Sequence, residues 1–136
     1  MKDYLIDTHA HIDMLIDNNE NGEPVENIIQ TMQDYGVKKA VIPSVEIDTL
    51  RTVVDLANKF ENLYGMVGIF PTEAKTYSTD IELMMEQYAK NNKKIVAVGE
   101  IGLDYYWDKS FNELQKDVFK KQIKLANRLN LPIVVH

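Results

Sequence analysis

The sequence lacks cysteine entirely, which excludes a disulfide-stabilised fold. It also lacks any uncharged apolar stretch of about 18 residues, so no transmembrane helix is expected, no membrane partner is predicted, and a cytoplasmic location is the default. Internal repeats, low-complexity tracts and linkers are absent as well. We therefore predict that residues 1–136 form a single domain.

What is present is typical of an ordinary globular protein. Of the 136 residues, 45% are hydrophobic and 26% are charged, and the formal net charge is −6. This apolar content is enough to bury a core, so disorder is not expected. The acidic balance argues against broad electrostatic capture of nucleic acid, although a site filled with metal ions could still bind phosphate groups locally.

Short apolar runs alternate with longer segments of helical periodicity. Continuous apolar runs of this length are typical of parallel strands that are covered on both faces. Helix starts are predicted at Asp48, as an N-cap, and at Ser110 with Glu113, as a capping box, and Gly36 is predicted to end a helix. The predicted strands are 4–6, 40–42, 65–69, 95–98 and 132–135, and the predicted helices are 24–35, 48–60, 79–90 and 111–129.

Strands that alternate with helices predict an α/β fold with a parallel sheet and right-handed crossovers. The pattern alone leaves two architectures open, an open doubly wound sheet and part of a closed barrel. Both architectures place their ligand sites at the C-terminal ends of the strands. Candidate functional residues are therefore sought at those strand ends.

All three histidines of the chain lie at strand ends of this kind. His9 and His11 follow the first predicted strand, and His136 closes the fifth. Residues i and i+2 of an extended segment point the same way, so His9 and His11 can reach one metal ion. Neutral imidazoles suit zinc, manganese and iron. The alternative, unrelated surface or core histidines, is weakened because all three share one edge.

Glu100 lies at the end of the fourth apolar run, on the same predicted edge. A carboxylate there can bridge two cations through its two oxygens and hold them about 4 Å apart. The alternative interpretation is a solvated carboxylate at a strand end. Gly99 and Gly102 flank this position and allow a close backbone approach or a tight loop.

Three segments together resemble the TatD family of metal-dependent deoxyribonucleases, which are TIM barrels of the amidohydrolase type. They are 6–13 (IDTHAHID), 98–106 (VGEIGLDYY) and 131–136 (LPIVVH), in order along the whole chain. The resemblance implies about the first five strands and four helices of a (β/α)8 barrel, that is, the N-terminal portion of such a hydrolase. Supporting positions in the last predicted helix are Gln115, Phe119, Gln122, Leu125 and Ala126.

The resemblance also implies roles for individual residues. The residues matching His9 and His11 bind one divalent metal, the residue matching Glu100 bridges two metals as the catalytic carboxylate, and the residue matching His136 binds the second. The implied cofactors are two divalent ions (Mg, Mn or Zn), and the implied reaction is attack of a metal-activated water on a phosphodiester of DNA. Tyr105 and Tyr106, together with Trp107, are predicted either to contact the substrate by stacking or to pack a loop.

Two departures from the family pattern qualify this prediction. Phe70 and Thr72 stand where the family commonly has histidines, which bears on substrate specificity. A later histidine and a later aspartate of the family, the latter a metal ligand and general base, have no counterpart within the 136 residues. The alternatives are therefore a related barrel hydrolase acting on an amide or phosphate monoester, or a catalytically incomplete fragment that needs a complementary C-terminal half or self-associates.

Overall fold

The computed structural model describes residues 4–17 and 22–136, and it contains one parallel five-stranded sheet. The spatial order of the strands equals their order along the chain. A doubly wound sheet would reverse that order at a switch point, whereas a barrel continues it. The chain is therefore an α/β half-barrel, as predicted. The strands are β1 Leu5–Asp7, β2 Val37–Ile42, β3 Leu63–Val67, β4 Ile95–Ile101 and β5 Ile133–Val135.

Helices connect the strands as the periodicity predicts, and two short elements were not predicted. The helix α1 over Ile12–Asp17 and a 3-10 helix over Pro71–Thr76 are each six residues long, too short to show a helical period. Both lie directly after strand ends, next to the predicted ligand edge. The α-helices are α1 Ile12–Asp17, α2 Val25–Asp34, α3 Ile47–Lys59, α4 Thr79–Asn91 and α5 Asn112–Leu129.

Both predicted N-terminal caps are wrong. The N-cap of α3 is Glu46 instead of Asp48, and the backbone N–H of Glu46 donates to Thr49 Oγ1 at 2.8 Å. The N-cap of α5 is Phe111, and no side chain caps it.

The Ser110 capping box fails because a neighbouring turn uses the same residues. The Ser110 N–H donates to Asp108 Oδ1 at 2.8 Å, which closes a local turn before the helix. Glu113 is paired with Lys116 at 2.7 Å instead of folding back toward the helix start. By contrast, α2 ends as predicted before Gly36, whose φ is +86°.

The core lies between the sheet and the helices on its outer face. Its main part packs β3 and β4 against α3, α4 and α5, and a second cluster packs β2 against α2 and α3. Fully buried side chains include Ile42, Leu63, Val67, Val98 and Ile101. Burial of this apolar surface is the main favourable contribution to the folding free energy.

The inner face of the sheet is open in the described residues. Ile6, on the outermost strand β1, is 51% exposed. A shallow apolar cavity of about 190 Å³ lies between the strands on this face, and it is lined by Ile6, Lys39, Val41, Tyr64 and Val96. Within residues 4–17 and 22–136, no helix has the length and apolar character that crossing a bilayer requires.

Candidate metal centre

The structure brings the four predicted ligands together at the C-terminal edge of the sheet. Two imidazoles face one oxygen of Glu100: the distances to Glu100 Oε2 are 3.1 Å from His9 Nε2 and 3.8 Å from His11 Nε2. The other oxygen, Glu100 Oε1, lies 3.0 Å from His136 Nδ1. Both oxygens of one carboxylate, only 9% exposed as a side chain, thus face imidazole nitrogens.

This donor set fits divalent cations. Imidazole nitrogens and carboxylate oxygens bind zinc at about 2.0–2.2 Å, so two ligands of one ion lie at most about 4.4 Å apart. The measured separations of 3.0–3.8 Å are within that limit. Ligand atoms of His9, His11 and Glu100 all lie within 4.8 Å of one another. These side chains could therefore hold a divalent cation at this edge.

The histidine pair reaches the site from an irregular segment, which corrects the strand-based explanation of its geometry. β1 ends at Asp7, and α1 begins directly after His11. The His9 backbone N–H donates to Asp7 Oδ1 at 3.0 Å, and the Ala10 N–H donates to the Val41 carbonyl at 3.0 Å. The two rings meet edge to face, with centroids 5.2 Å apart.

Ser44, which no sequence motif singles out, supports the backbone of Glu100. Its backbone carbonyl accepts the Glu100 N–H at 3.2 Å, and its own N–H donates to the Gly99 carbonyl at 3.3 Å. The fully buried hydroxyl donates to the Gly68 carbonyl at 2.7 Å and accepts the Gly68 N–H at 2.8 Å. Ser44 thus joins the ends of β2, β3 and β4. Its place after an apolar strand is the only sequence signal that could have indicated it.

Glycines let β4 and β5 approach closely beside the site. A Cβ atom on Gly99 would lie 2.9 Å from the Val134 Cβ, and one on Gly102 would lie 3.0 Å from the His136 carbonyl oxygen. Gly102 also has a φ of +150°, which favours glycine. The His136 N–H donates to the Ile101 carbonyl at 2.8 Å, so this approach sets the position of the His136 backbone.

Comparison with known proteins agrees with this geometry. A family profile described as TatD related DNase matches residues 6–136. The chain belongs to the TatD family. It is 33% identical over 132 residues to a Bacillus subtilis protein named uncharacterized metal-dependent hydrolase YabD, covering 97% of this chain. The crystal structure of YjjV, a TatD homologue from Escherichia coli, superposes with a TM-score of 0.86 at 32% identity over 100% of this chain.

The chain spans about half the length of the TatD relatives it matches. It covers 50% of YabD and 51% of YjjV. A third relative, from Schizosaccharomyces pombe, is named deoxyribonuclease Tat-D and is 30% identical over 123 residues, which is 82% of this chain and 39% of that protein. The family is one of metal-dependent hydrolases, and the half-barrel corresponds to a portion of its larger members.

Beyond the four predicted ligands, this TatD-family chain brings Asp104 to the site. Asp104 Oδ2 lies 3.1 Å from His136 Nε2, and Asp104 Oδ1 accepts the Tyr106 N–H at 2.9 Å. The Tyr106 N–H lowers the pKa of the Asp104 carboxyl, and the His136 imidazole lowers it further against the opposing effect of burial. The sequence predicts no role for Asp104 beyond its place in the motif 98–106, because its contact depends on the loop after β4.

Two buried glutamines of α5 hold the loops at this edge. Gln115 accepts the Asp104 N–H at 2.8 Å and donates to the Asp104 carbonyl at 2.8 Å. Gln122 accepts the Ile69 N–H at 2.7 Å and donates to the Ile69 carbonyl at 3.0 Å. Each side chain therefore satisfies both groups of a loop backbone with its own amide, as buried polar groups require.

One position that departs from the usual TatD pattern lines the site. Phe70 contacts the His136 ring with a centroid distance of 4.5 Å. Thr72 lies in the 3-10 helix and does not line the cavity. The cavity has a volume of about 350 Å³, and its lining residues are His9, His11, Met14, Val45, Phe70, Glu100 and His136.

The two tyrosines predicted to contact substrate do not line this cavity in the TatD-family half-barrel. Tyr106 is 80% exposed and meets Trp107, 76% exposed, edge to face at 4.8 Å. Tyr105 is half-buried, and its hydroxyl is buried without a hydrogen-bond partner among the described residues. Of the pair, Tyr106 is the more accessible to a ligand.

Proposed function

We propose that this chain forms the metal-binding part of a TatD-type hydrolase that cleaves phosphodiester bonds of DNA. The observation that carries the proposal is the convergence of three imidazoles on the two oxygens of Glu100, at 3.0, 3.1 and 3.8 Å. The name of the fission yeast relative, deoxyribonuclease Tat-D, supports DNA as the substrate class. We infer a cytoplasmic location from the sequence alone.

The residues divide between two proposed cation positions. His9 and His11 with Glu100 Oε2 would hold one ion, and His136 with Glu100 Oε1 would hold the second. Bound Mg²⁺, Mn²⁺ or Zn²⁺ would supply a water of lowered pKa and would polarise the phosphoryl oxygens. Glu100 acts as the catalytic carboxylate because its two oxygens fix the spacing of the two positions.

The surrounding residues would orient the substrate. Phe70 packs on one side of His136 and keeps water from that side of the imidazole. Tyr106 offers an exposed ring on the loop after β4, where an unstacked nucleobase could stack. Tyr105, whose ring is half-buried, would contact substrate only at its exposed edge.

We further propose that the chain is the N-terminal portion of a barrel whose other half covers the inner face of the sheet. Ile6 is about half exposed and lines the open apolar cavity of this face, and the chain spans about half of its relatives. Apolar surface of this kind is stabilised when a partner buries it. The complementary half would also supply the remaining ligands that the family pattern implies.

Cleavage of a fluorescent DNA oligonucleotide with Mn²⁺ tests the function. The wild-type chain is assayed alone and with the C-terminal half of YjjV, next to Glu100→Gln and the control Glu113→Gln on the solvent side of α5. We expect cleavage with the complementary half that Glu100→Gln abolishes and Glu113→Gln retains. Hydrolysis of a phosphate monoester or an anilide without any cleavage of DNA would overturn the DNA assignment.

A further inference from the structure

Asp104 is bound through every polar group that it has. Its backbone N–H and carbonyl pair with the side-chain amide of Gln115, which is 1% exposed. One carboxylate oxygen accepts the Tyr106 N–H at 2.9 Å, and the other lies 3.1 Å from His136 Nε2. The Asp104 side chain is only 9% exposed. A carboxylate fixed at both its backbone and its side chain cannot turn away from the imidazole without breaking other bonds.

The chemistry of the contact determines which imidazole nitrogen carries hydrogen. An ionised carboxylate only accepts hydrogen bonds, so the nitrogen that faces Asp104 must donate. Glu100 Oε1 faces Nδ1 in the same way, but a cation bound between them needs the Nδ1 lone pair, so neutral His136 then holds its proton on Nε2, where Asp104 accepts it. Nδ1 is the nitrogen that lies 3.0 Å from Glu100 Oε1. Asp104 therefore directs the metal-binding nitrogen of His136 toward Glu100.

We propose that Asp104 is a positioning residue that holds His136 in the Nε2–H tautomer and thereby tunes the affinity of the second cation position. Outer partners of this kind fix the tautomer and the ring orientation of metal-binding histidines and change metal affinity when removed. This inference rests on the proposed metal centre. It adds to that centre a role for Asp104, which binds no ion itself.

The Asp104 carboxylate connects the His136 imidazole to the loop after β4 that carries Tyr106 and Trp107. Asp104 Oδ1 holds the Tyr106 N–H, and Tyr106 contacts Trp107 at 4.8 Å. A displacement of that loop would therefore move the acceptor of His136 Nε2. A change at Asp104 Oδ1, which accepts the Tyr106 N–H, would therefore also affect Asp104 Oδ2, which faces His136 Nε2.

Asp104→Asn is the informative substitution because an amide side chain cannot satisfy both contacts. If the amide oxygen accepts the Tyr106 N–H, the amide NH₂ faces Nε2 and stabilises the wrong tautomer. If the amide turns over, two donors meet at Tyr106. Asp108→Asn is the matched control, because Asp108 Oδ1 accepts the Ser110 N–H at 2.8 Å in the same kind of turn and does not contact a histidine.

Zn²⁺ titration calorimetry and long-range ¹H–¹⁵N spectra of the Zn²⁺-loaded chain test the proposal. We expect Asp104→Asn to weaken Zn²⁺ binding about 10- to 100-fold, and wild-type His136 to show a protonated Nε2 with Nδ1 on the metal. Asp108→Asn should match the wild type in both measurements. Unchanged affinity in Asp104→Asn, or metal on Nε2 in the wild type, would overturn the proposal.

A second measurement separates this role from the metal centre itself. If the wild-type chain bound no Zn²⁺, the proposed centre would fail, and the tautomer would then be read in the metal-free Glu100→Gln chain above the ordinary imidazole pKa of about 6.5. There we expect Nε2–H with Asp104 and Nδ1–H once Asp104→Asn is added. The same tautomer in both chains contradicts the positioning role, and circular dichroism confirms that each variant is folded.

Discussion

Glu100 and the pair His9 and His11 belong to one cluster but are held in very different ways. Glu100 is the penultimate residue of β4, an interior strand in which six of seven residues are buried, and Ser44 binds its backbone. The histidine pair follows a three-residue strand whose residues are all exposed. The carboxylate is therefore positioned by the fold, whereas we expect a bound cation to order the histidine segment. In this half-barrel, the buried strand β4 holds Glu100 in place, whereas the exposed strand β1 gives little support to the histidine pair.

The strongest test of this contrast removes one ligand from each side. Glu100→Ala deletes the group that faces all three imidazoles, so we expect metal binding to fall at least about 100-fold at both positions. His9→Ala deletes one imidazole and should weaken only the first position, leaving His136 binding intact. Isothermal titration with Mn²⁺ reports both changes. Equal losses in the two variants would show that the carboxylate is not the shared element.

Ser44→Ala tests whether the fold positions Glu100. The substitution leaves the Gly68 N–H and carbonyl without their buried partner, which costs about 1–3 kcal/mol of unfolding free energy. Metal affinity should fall as well, because the strand ends beneath Glu100 separate. Urea denaturation measures the stability, and Ser110→Ala is the control because its side chain is exposed. A stable Ser44→Ala chain with full metal affinity would contradict this view.

Hydrogen exchange sharpens the contrast without any mutation. On addition of Zn²⁺ we expect amides from His9 to Ile12 to slow by about tenfold or more, because a ligand that binds only the ordered segment suppresses its opening. Amides of β4 should be protected already and should change little. Exchange followed by mass spectrometry resolves these peptides. Equal slowing in both segments would mean that the cation orders the whole edge.

The smallest effect is expected away from the metal centre, where α4 packs on α5. Burial raises the pKa of Tyr77, and the neighbouring Glu82 carboxylate raises it further. A raised folded pKa means that the stabilisation is complete below the unfolded pKa of about 10 and is lost as the pH rises above it. Tyr77→Phe should remove about 1 kcal/mol at neutral pH and abolish that alkaline loss. Thermal melts across pH 7–11 check this, with the 80% exposed Tyr106→Phe as the control.

The clustering of the four predicted ligands could be anticipated because parallel strands bring their C-terminal ends to one edge. That rule brings His9, His11, Glu100 and His136 to one edge, although the irregular segment after β1, and not a strand, sets the geometry of the histidine pair. Loop details could not be predicted in the same way. The bond from Asp104 to His136 depends on a turn closed by the Tyr106 N–H.

The wrong and missing predictions have similar local causes. The Ser110 capping box was wrong because Asp108 competes for the same backbone group. The helix α1 was missed because six residues are too few to show a period. Ser44 was missed because a single hydroxyl after a strand carries no pattern, and only the packed strand ends reveal its partners.

The two glutamines of α5 have a mechanical consequence. Gln115 and Gln122 are seven residues apart, which is about two helical turns and roughly 10.5 Å along one side of the helix. Gln115 binds the loop after β4 at Asp104, and Gln122 binds the loop after β3 at Ile69, next to Phe70. Because a helix moves as a rigid rod, a slide of α5 along its axis would shift both loops in step. Asp104 and Phe70, which both contact the His136 ring, would then move together.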